Sequence, residues 1–364
     1  MNEKAWLVLQ NGMVFQGRRF GAPGEVTAEI CFTTGMTGYL ETLTDPSYHG
    51  QIVVQTFPLI GNYGVIPDDF ESVGPRLSAY IVRRLCTEPS NFRSRGTLDA
   101  FLRERGIVGL QDIDTRTLAR TIRQYGVMNA SVLDKLPDDL KSYTADLAKK
   151  ALSSSVFSVT CSSPFIINPD GEYHVVLWDF GYKAGIAGAL AARGCKVSVV
   201  PAKTTAEQIL KLQPDGILLS NGPGDPAGYT SVIENVRAVM KSGLPVFGIC
   251  LGHQLLGLAL GAKTLKLKYG HRGVNQPVRE TASGRLLITS QNHGYAVDSA
   301  TLPAGCRQSW VNVNDGTCEG IDCAGRPVYS VQFHPEACAG PQDCSFLFDR
   351  VLGDCKEAGK HAAR

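Results

Sequence analysis

The stretch Pro245-Val-Phe-Gly-Ile-Cys250-Leu-Gly-His-Gln254 joins a short apolar run to a longer apolar segment, residues 251–260. The run has the length and composition of a buried strand, and the segment after it has the length of a helix. Glycines two positions before and two positions after Cys250 give the spacing of a tight strand-to-helix turn that lifts a nucleophile out of a sheet. The sequence therefore predicts a strand, a reactive cysteine and a helix in that order.

The same alternation continues along the second half of the chain. Apolar runs of strand length alternate with helical patterns in the order 173–178, 183–192, 196–200, 206–212, 216–219 and 231–241. Strands that alternate with crossover helices predict a parallel sheet covered by helices on both faces. We therefore predict a doubly wound, mostly parallel α/β domain over residues 172–364, with its ligand site beyond the carboxyl ends of the strands.

The first half of the chain has a different texture. Short β-type runs are divided by Gly-rich turns and followed by helical patterns, in the order 6–9, 29–33, 51–56, 98–105 and 115–125. This mixture predicts an N-terminal α+β domain over residues 1–152. Residues 153–171 are rich in Ser and Pro and lack helical periodicity, so we predict a linker there.

The composition excludes several classes of protein. The chain has 364 residues, of which 43% are hydrophobic and 19% charged, which suits two folded domains with sizeable cores. Its 36 basic and 34 acidic residues leave a formal charge of +2, too balanced for a nucleic-acid or membrane-surface partner. No apolar stretch reaches the roughly 20 residues of a membrane span, and no secretory signal is recognisable. We therefore expect a cytoplasmic protein.

The 11 cysteines are expected to be free thiols of a protein in a reducing compartment. No CxxC pair occurs in the sequence. The spacings from Cys318 to Cys323 and from Cys338 to Cys344 are too loose for a zinc knuckle. We therefore expect no metal site.

A histidine and a carboxylate follow another strand-like run, residues 327–332, in the motif Phe-His334-Pro-Glu336. Residues two apart in an extended chain face the same side, so His334 and Glu336 can serve one nucleophile as base and orienting carboxylate. His293 is the alternative base, and we prefer His334 because only His334 has a carboxylate two positions on. His253, in the first turn of the predicted helix, is expected to be a packing or capping residue.

A Gly-rich loop, Ser220-Asn-Gly222-Pro-Gly224-Asp-Pro226, follows the predicted strand at 216–219. Its spacing matches neither the dinucleotide fingerprint nor a Walker A loop, so no nucleotide site is expected. A rigid turn can instead present the N–H of Gly222 to an oxyanion, opposite the N–H of Leu251.

The motifs GICLGHQ, NGPGDP and FHPE together resemble those of the class I (triad) glutamine amidotransferases. The front half adds FTTGMTGY at 32–39, TDPSY at 44–48 and FPLIGNYG at 57–64. These resemble the small subunits of carbamoyl phosphate synthetases, so the resemblance covers essentially the full chain.

The resemblance implies a role for each matching residue. Cys250 would be the nucleophile, with His334 as acid and base and Glu336 as its orienting partner. Gly222 and Leu251 would hold the oxyanion. The residues implied to bind L-glutamine are Ser47 from the front domain, Gly222, Gly224, Leu251, Gln254, Asn292, Gly294 and Tyr295. The family often has Phe where this chain has Tyr295.

The implied activity is hydrolysis of L-glutamine through a γ-glutamyl thioester. Ammonia would pass to a large subunit that uses bicarbonate and ATP to make carbamoyl phosphate for arginine and pyrimidine synthesis. ATP and Mg²⁺ are expected in that subunit, and no cofactor is expected in this chain.

Two alternatives stay open at this point. An amidotransferase for another acceptor is opposed by the front domain. A regulatory scaffold with a vestigial site is opposed by the intact Cys250, His334 and Glu336.

The position of Ser47 in the motif yields a first prediction. A turn serine can bond its own backbone, whereas the resemblance assigns its hydroxyl to the charged end of glutamine. Losing one hydrogen bond to a charged group costs about 1.5 to 3 kcal/mol, so Ser47→Ala should raise the glutamine KM roughly 10- to 100-fold with a smaller effect on kcat. Steady-state glutaminase kinetics measure both constants, and an unchanged KM would assign Ser47 to the turn alone.

Overall fold

The computed structural model describes residues 3–151, 154–337 and 339–362, and the chain forms two compact units, Met1–Ser154 and Ser155–Arg364. The strands of the first unit are β1 Lys4–Leu9, β2 Val14–Gly21, β3 Val26–Thr33, β4 Gln51–Gln55, β5 Leu59–Ile60, β6 Ala79–Ile81, β7 Arg84–Leu85, β8 Val108–Gln111 and β9 Met128–Leu133. Its helices are α1 Tyr39–Thr44, α2 Leu98–Glu104, α3 Thr115–Tyr125 and α4 Leu140–Lys149.

Seven strands of the first unit close into a barrel in the order β1-β2-β8-β6-β4-β3-β9. Side chains alternate between the two faces of a strand, so Leu7 and Leu9 of β1 reach the same core as Ile30 of β3. Helix α3 adds Leu118 and Ile122 to that core from one of its faces. The unit therefore has the α+β character that the sequence predicts.

The second unit alternates strands and helices before it turns to hairpins. Its strands are β10 Phe165–Ile167, β11 Tyr173–Asp179, β12 Cys195–Pro201, β13 Gly216–Leu219, β14 Val246–Ile249, β15 Lys263–Glu280, β16 Leu286–Asp298, β17 Cys306–Asn312, β18 Cys318–Cys323 and β19 Val328–Val331. Its helices are α5 Ala184–Ala191, α6 Ala206–Lys211, α7 Thr230–Val239, α8 Leu251–Leu260 and α9 Phe346–Ala362. Among all the described residues, no helix has both the length and the apolar character needed to span a bilayer.

The strands of the second unit form one ten-stranded sheet in the order β10-β12-β11-β13-β14-β19-β18-β17-β15-β16. Strands β12, β11, β13, β14 and β19 pair in parallel, which confirms the predicted α/β class. The next four strands extend this sheet with antiparallel pairs. The parallel arrangement is thus confined to the central strands, because connections such as 281–285 and 324–327 are too short for a crossover helix.

Helices cover both faces of the parallel strands. On β11, Val176 and Trp178 pack with residues of α6, α7 and α8. Val175 and Leu177, on the opposite face of the same strand, pack with residues of α5 and α9. A strand that is buried on both faces has a continuous apolar run in its sequence. For this reason the strands of this region could be predicted from the sequence.

The segment predicted as a linker contains ordered elements of the second unit. Strand β10 lies within it and pairs antiparallel with β12. Val156, in a short 3-10 turn, is fully buried in the core beside α6 and α7. The Ser- and Pro-rich composition gave no sign of these apolar contacts, since the strand partners of β10 are 30 to 34 positions away along the chain.

Two cysteines contradict the expectation of free thiols. Cys306 and Cys323 form a disulfide between β17 and β18, where the antiparallel register places them directly opposite each other. The described cysteines without a disulfide are Cys31, Cys86, Cys161, Cys195, Cys250, Cys318, Cys344 and Cys355. Cys338, considered above as a zinc ligand, lies outside the described residues.

Candidate active site

Cys250 lies at the junction of β14 and α8 with backbone angles of φ 54° and ψ −103°. A positive φ is strained for a residue with a side chain, and such strain persists only where the surroundings enforce it. Here the N–H of Cys250 donates to the carbonyl of Val331 at 2.9 Å, and the N–H of Gly252 donates to the carbonyl of Ser220 at 3.0 Å. The neighbouring strands therefore enforce the sharp turn that the Gly-x-Cys-x-Gly spacing predicts.

Both glycines of this turn are required by close approach of the backbone. A Cβ atom on Gly248 would lie 2.6 Å from the carbonyl oxygen of Gly252. One on Gly252 would lie 2.2 Å from the carbonyl oxygen of Leu219. Neither position accommodates a side chain without moving the main chain.

His334 follows β19 and is fixed through both its backbone and its ring. Its N–H donates to the carbonyl of Ser290 in β16 at 2.9 Å. Its Nδ1 donates to Oε1 of Glu336 at 2.6 Å, and both side chains are buried. Nε2 of His334 has no hydrogen-bond partner of standard geometry within the described part of the chain. The ring is thus held by one nitrogen, with the other available for proton transfer.

Lys183 completes this array and is absent from the sequence-based set of candidates. It lies at the N-cap of α5, and its Nζ is 3.0 Å from the same Oε1 of Glu336. The sequence feature that could have indicated Lys183 was its position shortly after β11, at one of the strand ends where a ligand site is expected. Its helical surroundings gave no sign of a carboxylate 153 positions away.

The electrostatics of the array follow from its burial and pairing. Burial alone would raise the pKa of Glu336, but Lys183 and His334 outweigh it and lower the pKa. Burial and Lys183 act to lower the pKa of His334, but Glu336 and the Cys250 side chain outweigh them and raise it. An ionised Glu336 beside a readily protonated His334 is the arrangement that accepts a proton from a thiol.

The proposed oxyanion donors flank Cys250. Leu251 is the first residue of α8, so its N–H has no acceptor within the helix. Gly222 packs so closely that a Cβ there would lie 2.2 Å from the carbonyl oxygen of Phe180 and 2.9 Å from Cδ2 of Leu251. The two residues are neighbours in space although they follow different strands.

The residues implied to bind glutamine occupy several elements. Asn292, Gly294 and Tyr295 lie in β16, and the carbonyl of Asn292 accepts from Sγ of Cys250 at 3.5 Å. Gln254 in α8 donates from Nε2 to the carbonyl of Tyr295 at 2.8 Å. The structure therefore groups these residues around the cysteine.

The other two residues implied to bind glutamine, Gly224 and Ser47, lie in turns. Gly224 has a φ of 92°, which favours glycine, in the loop after β13. Ser47 belongs to the first unit, in the 3-10 turn Pro46–Tyr48, where its N–H donates to the side chain of Asp45 at 2.9 Å.

The remaining histidines of this region are engaged elsewhere. His253 is buried, with Nδ1 2.8 Å from the hydroxyl of Ser330. His293 has Nδ1 2.8 Å from the carbonyl oxygen of Tyr295 and Nε2 3.2 Å from Oε1 of Gln291. Burial, with the nearby His271, lowers the pKa of His293 well below its usual value. Its ring is therefore poorly placed to serve Cys250 as a base.

Two protein-family models match the chain. Carbamoyl-phosphate synthase small chain, CPSase domain, matches residues 7–132, and glutamine amidotransferase class-I matches residues 176–353.

Curated relatives match over nearly the whole length. A carbamoyl phosphate synthase small chain of Chlorobaculum tepidum is 51% identical over 350 residues, covering 94% of this chain and 95% of the relative. One of Syntrophotalea carbinolica is 48% identical over 367 residues, covering 95% and 96%. One of Bacillus cereus is 49% identical over 350 residues, covering 96% and 95%.

The chain belongs to the carbamoyl phosphate synthase small-chain family. Membership makes it the glutamine-hydrolysing component of a ligase, with an amidotransferase domain that contains the array around Cys250. The match of the family-specific front domain also argues against one alternative left by the sequence, an amidotransferase for another acceptor.

The crowding at Gly222 yields a matched pair of variants. Gly222→Ala should displace the loop, lower the rate of glutamine hydrolysis at least about tenfold and destabilise the fold by about 1 to 3 kcal/mol. Gly228→Ala, in the same loop region, is the control, because a Cβ there meets nothing within 4 Å. Glutaminase assays and thermal unfolding measure the two effects. Equal activity in both variants would contradict the oxyanion role of Gly222.

Proposed function

We propose that this chain hydrolyses L-glutamine with a Cys250-His334-Glu336 triad. The observation that carries the proposal is the cysteine in a strained turn at a helix N-terminus, close to a buried His334–Glu336 pair 2.6 Å apart. The helix dipole and the adjacent N–H groups favour negative charge at this position. Lys183 holds the carboxylate, which in turn holds the ring.

The first step is attack of the Cys250 thiolate on the side-chain amide carbon of glutamine. A C–S bond forms, and the carbonyl oxygen becomes an oxyanion that accepts from the N–H groups of Gly222 and Leu251. The thiol proton resides on His334, where Glu336 stabilises the imidazolium. Asn292, Gly294, Tyr295, Gly224, Gln254 and Ser47 are the residues proposed to hold the amino acid.

The second step breaks the C–N bond. His334 protonates the leaving nitrogen, ammonia departs, and a γ-glutamyl thioester with Cys250 remains. His334 then takes a proton from water, which attacks the thioester and releases glutamate. The thiolate leaves, so the site returns to its starting state with one water consumed.

The ammonia is proposed to pass to a large synthetase subunit. That partner would bind ATP and Mg²⁺ and combine ammonia with bicarbonate to make carbamoyl phosphate for arginine and pyrimidine synthesis in the cytoplasm. Direct transfer is chemically favourable because ammonia released into neutral water is protonated and loses its nucleophilicity. The relatives' designation as small chains supports a larger partner.

Replacing the nucleophile separates the two sources of nitrogen. Cys250→Ser should remove glutamine-dependent carbamoyl phosphate synthesis by the assembled enzyme and leave synthesis from added ammonia largely intact, because only the thioester step uses this side chain. Carbamoyl phosphate formation from each nitrogen source is the measurement. Loss of both activities in a correctly assembled complex would contradict the assignment.

Substitutions of His334 and Glu336 should lower the rate of glutamine hydrolysis by different amounts. His334→Asn should slow glutamine hydrolysis by several orders of magnitude, and Glu336→Gln should do less harm because Glu336 only orients and stabilises the ring. Comparison of kcat values, including that of His293→Asn at the alternative base, tests the order. A larger loss of kcat in His293→Asn than in His334→Asn would show that the base is misassigned.

A further inference from the structure

Strand β16 presents alternate residues to two different surroundings. The carbonyl of Ser290 accepts from the N–H of His334 at 2.9 Å, and the carbonyl of Asn292 accepts from Sγ of Cys250 at 3.5 Å. The side chains of Gln291 and His293, which alternate with these residues, enter a cluster of buried polar groups. One strand thus joins the catalytic groups to that cluster.

Glu319 of β18 is the centre of the cluster and is fully buried. Its Oε2 accepts from Nε2 of Gln291 at 3.0 Å. Its Oε1 lies 3.3 Å from Nδ2 of Asn312 and 3.4 Å from Nδ1 of His271. Donors from three elements therefore converge on one carboxyl group. Burial nevertheless outweighs the contacts with His271 and Asn312 and raises the pKa of Glu319.

His271 links this carboxylate to a second one. Its Nε2 lies 2.7 Å from Oδ2 of Asp315. Burial lowers the pKa of His271, but Glu319 and Asp315 outweigh it and raise the pKa above its usual value. When His271 is protonated, its positive charge lies between the two carboxyl groups and favours the ionised form of each.

The cluster reaches the candidate glutamine site through Gln291 and His293. The side-chain amide of Gln291 contacts both residues. Its Nε2 donates to Glu319, and its Oε1 lies 3.2 Å from Nε2 of His293. Nδ1 of His293 lies 2.8 Å from the carbonyl oxygen of Tyr295, the same oxygen that accepts from Gln254. The two contacts of Gln291 are buried, and the two contacts at the carbonyl oxygen of Tyr295 are partly buried.

We infer that Glu319 is a positioning residue for glutamine binding. Glu319 holds the side-chain amide of Gln291 and thereby holds the backbone of residues 291–295. The position of that backbone sets where Asn292, Gly294 and Tyr295 contact the substrate. This inference rests on the proposed function, in which those residues hold glutamine. Glu319 itself contacts neither Cys250 nor the bound amino acid in this account.

A bound metal ion is the competing interpretation of the cluster. One ligand atom each of His271, His293 and Glu319 lie within 4.8 Å of one another. However, both ring nitrogens of each histidine already lie within 3.4 Å of a protein oxygen. Protein oxygens therefore already surround these nitrogens, although a neutral His293 donates from only one of its two, and the test below includes the metal content.

The test uses the assembled two-subunit enzyme with Glu319→Gln, Gln291→Met and the double variant. Each single change should raise the glutamine KM about 5- to 50-fold and leave kcat within about threefold, because the catalytic groups stay in place. The two changes interrupt the same chain, so the double variant should raise KM by less than the product of the single effects. Synthesis from added ammonia should stay at the wild-type level.

Ser198→Ala is the matched control. It removes a partly buried hydrogen bond of the same unit, between the Ser198 hydroxyl in β12 and Nε2 of His174 in β11, which are 2.7 Å apart. Both strands are remote from β16 in the sheet order. It should lower thermal stability without changing the glutamine KM. A KM increase in this variant equal to that in Glu319→Gln would reduce Glu319 to general stability and overturn the inference.

Further outcomes are equally decisive. Unchanged KM values in Glu319→Gln and Gln291→Met, or effects that multiply in the double variant, would overturn the inference while an active wild type still supports the proposed function. A wild-type complex that uses ammonia but not glutamine would instead defeat the proposed function itself. Elemental analysis that finds one equivalent of a divalent metal, lost in Glu319→Gln, would replace the positioning role with a metal site.

Discussion

The hydrogen bond from the N–H of Cys250 to the carbonyl of Val331 joins the strand of the nucleophile to the strand that leads to His334. Parallel pairing places β13, β14 and β19 side by side with their carboxyl ends at one edge. The Gly222 loop, the cysteine turn and the histidine each begin where one of these strands stops. Loss of this register would separate the three parts of the site at once.

Burial of charge is the second constraint on this edge. Transfer of a charged side chain from water into the protein interior costs several kcal/mol, and it is tolerated only when partners compensate it. Glu336 meets this condition at Oε1, which lies 3.0 Å from Nζ of Lys183 and 2.6 Å from Nδ1 of His334. A thiolate on Cys250 would balance the remaining positive charge, so the array is closest to neutrality when it is ready to react.

Local patterns allowed part of this structure to be predicted from sequence. The strand at 216–219 and the helix at 251–260 have the bounds that their apolar patterns indicate. Nearly all residues of both elements are buried, so the local sequence alone marks where each begins and ends. Three motifs sufficed to name Cys250, His334 and Glu336. Their joint roles stay a prediction, although the structure brings them together.

What the sequence did not reveal depends on distant pairing. The Cys306–Cys323 disulfide requires the register of β17 with β18, and the role of Lys183 requires a carboxylate far along the chain. The antiparallel extension was missed because residues 263–269 are exposed or half-buried in β15 and lack the apolar run of a core strand. Hairpin pairing, rather than local composition, holds that region in the sheet.

Strand β16 is the last strand in the order of the ten-stranded sheet. Its pairing with β15 is interrupted by register shifts between Lys266 and His271 and between Gly273 and Gln276, on either side of the pairs that include Asn292 and His293. Such irregularities bend and twist a strand locally, whereas the parallel pairs of β13, β14 and β19 are continuous in register. In the proposed mechanism the reacting groups lie at the ends of the regular central strands, whereas Asn292 and Tyr295, proposed to hold glutamine, lie on the irregular margin. Under that proposal, substitutions that reshape the margin would alter the affinity for the amino acid and leave the chemistry at the centre in place.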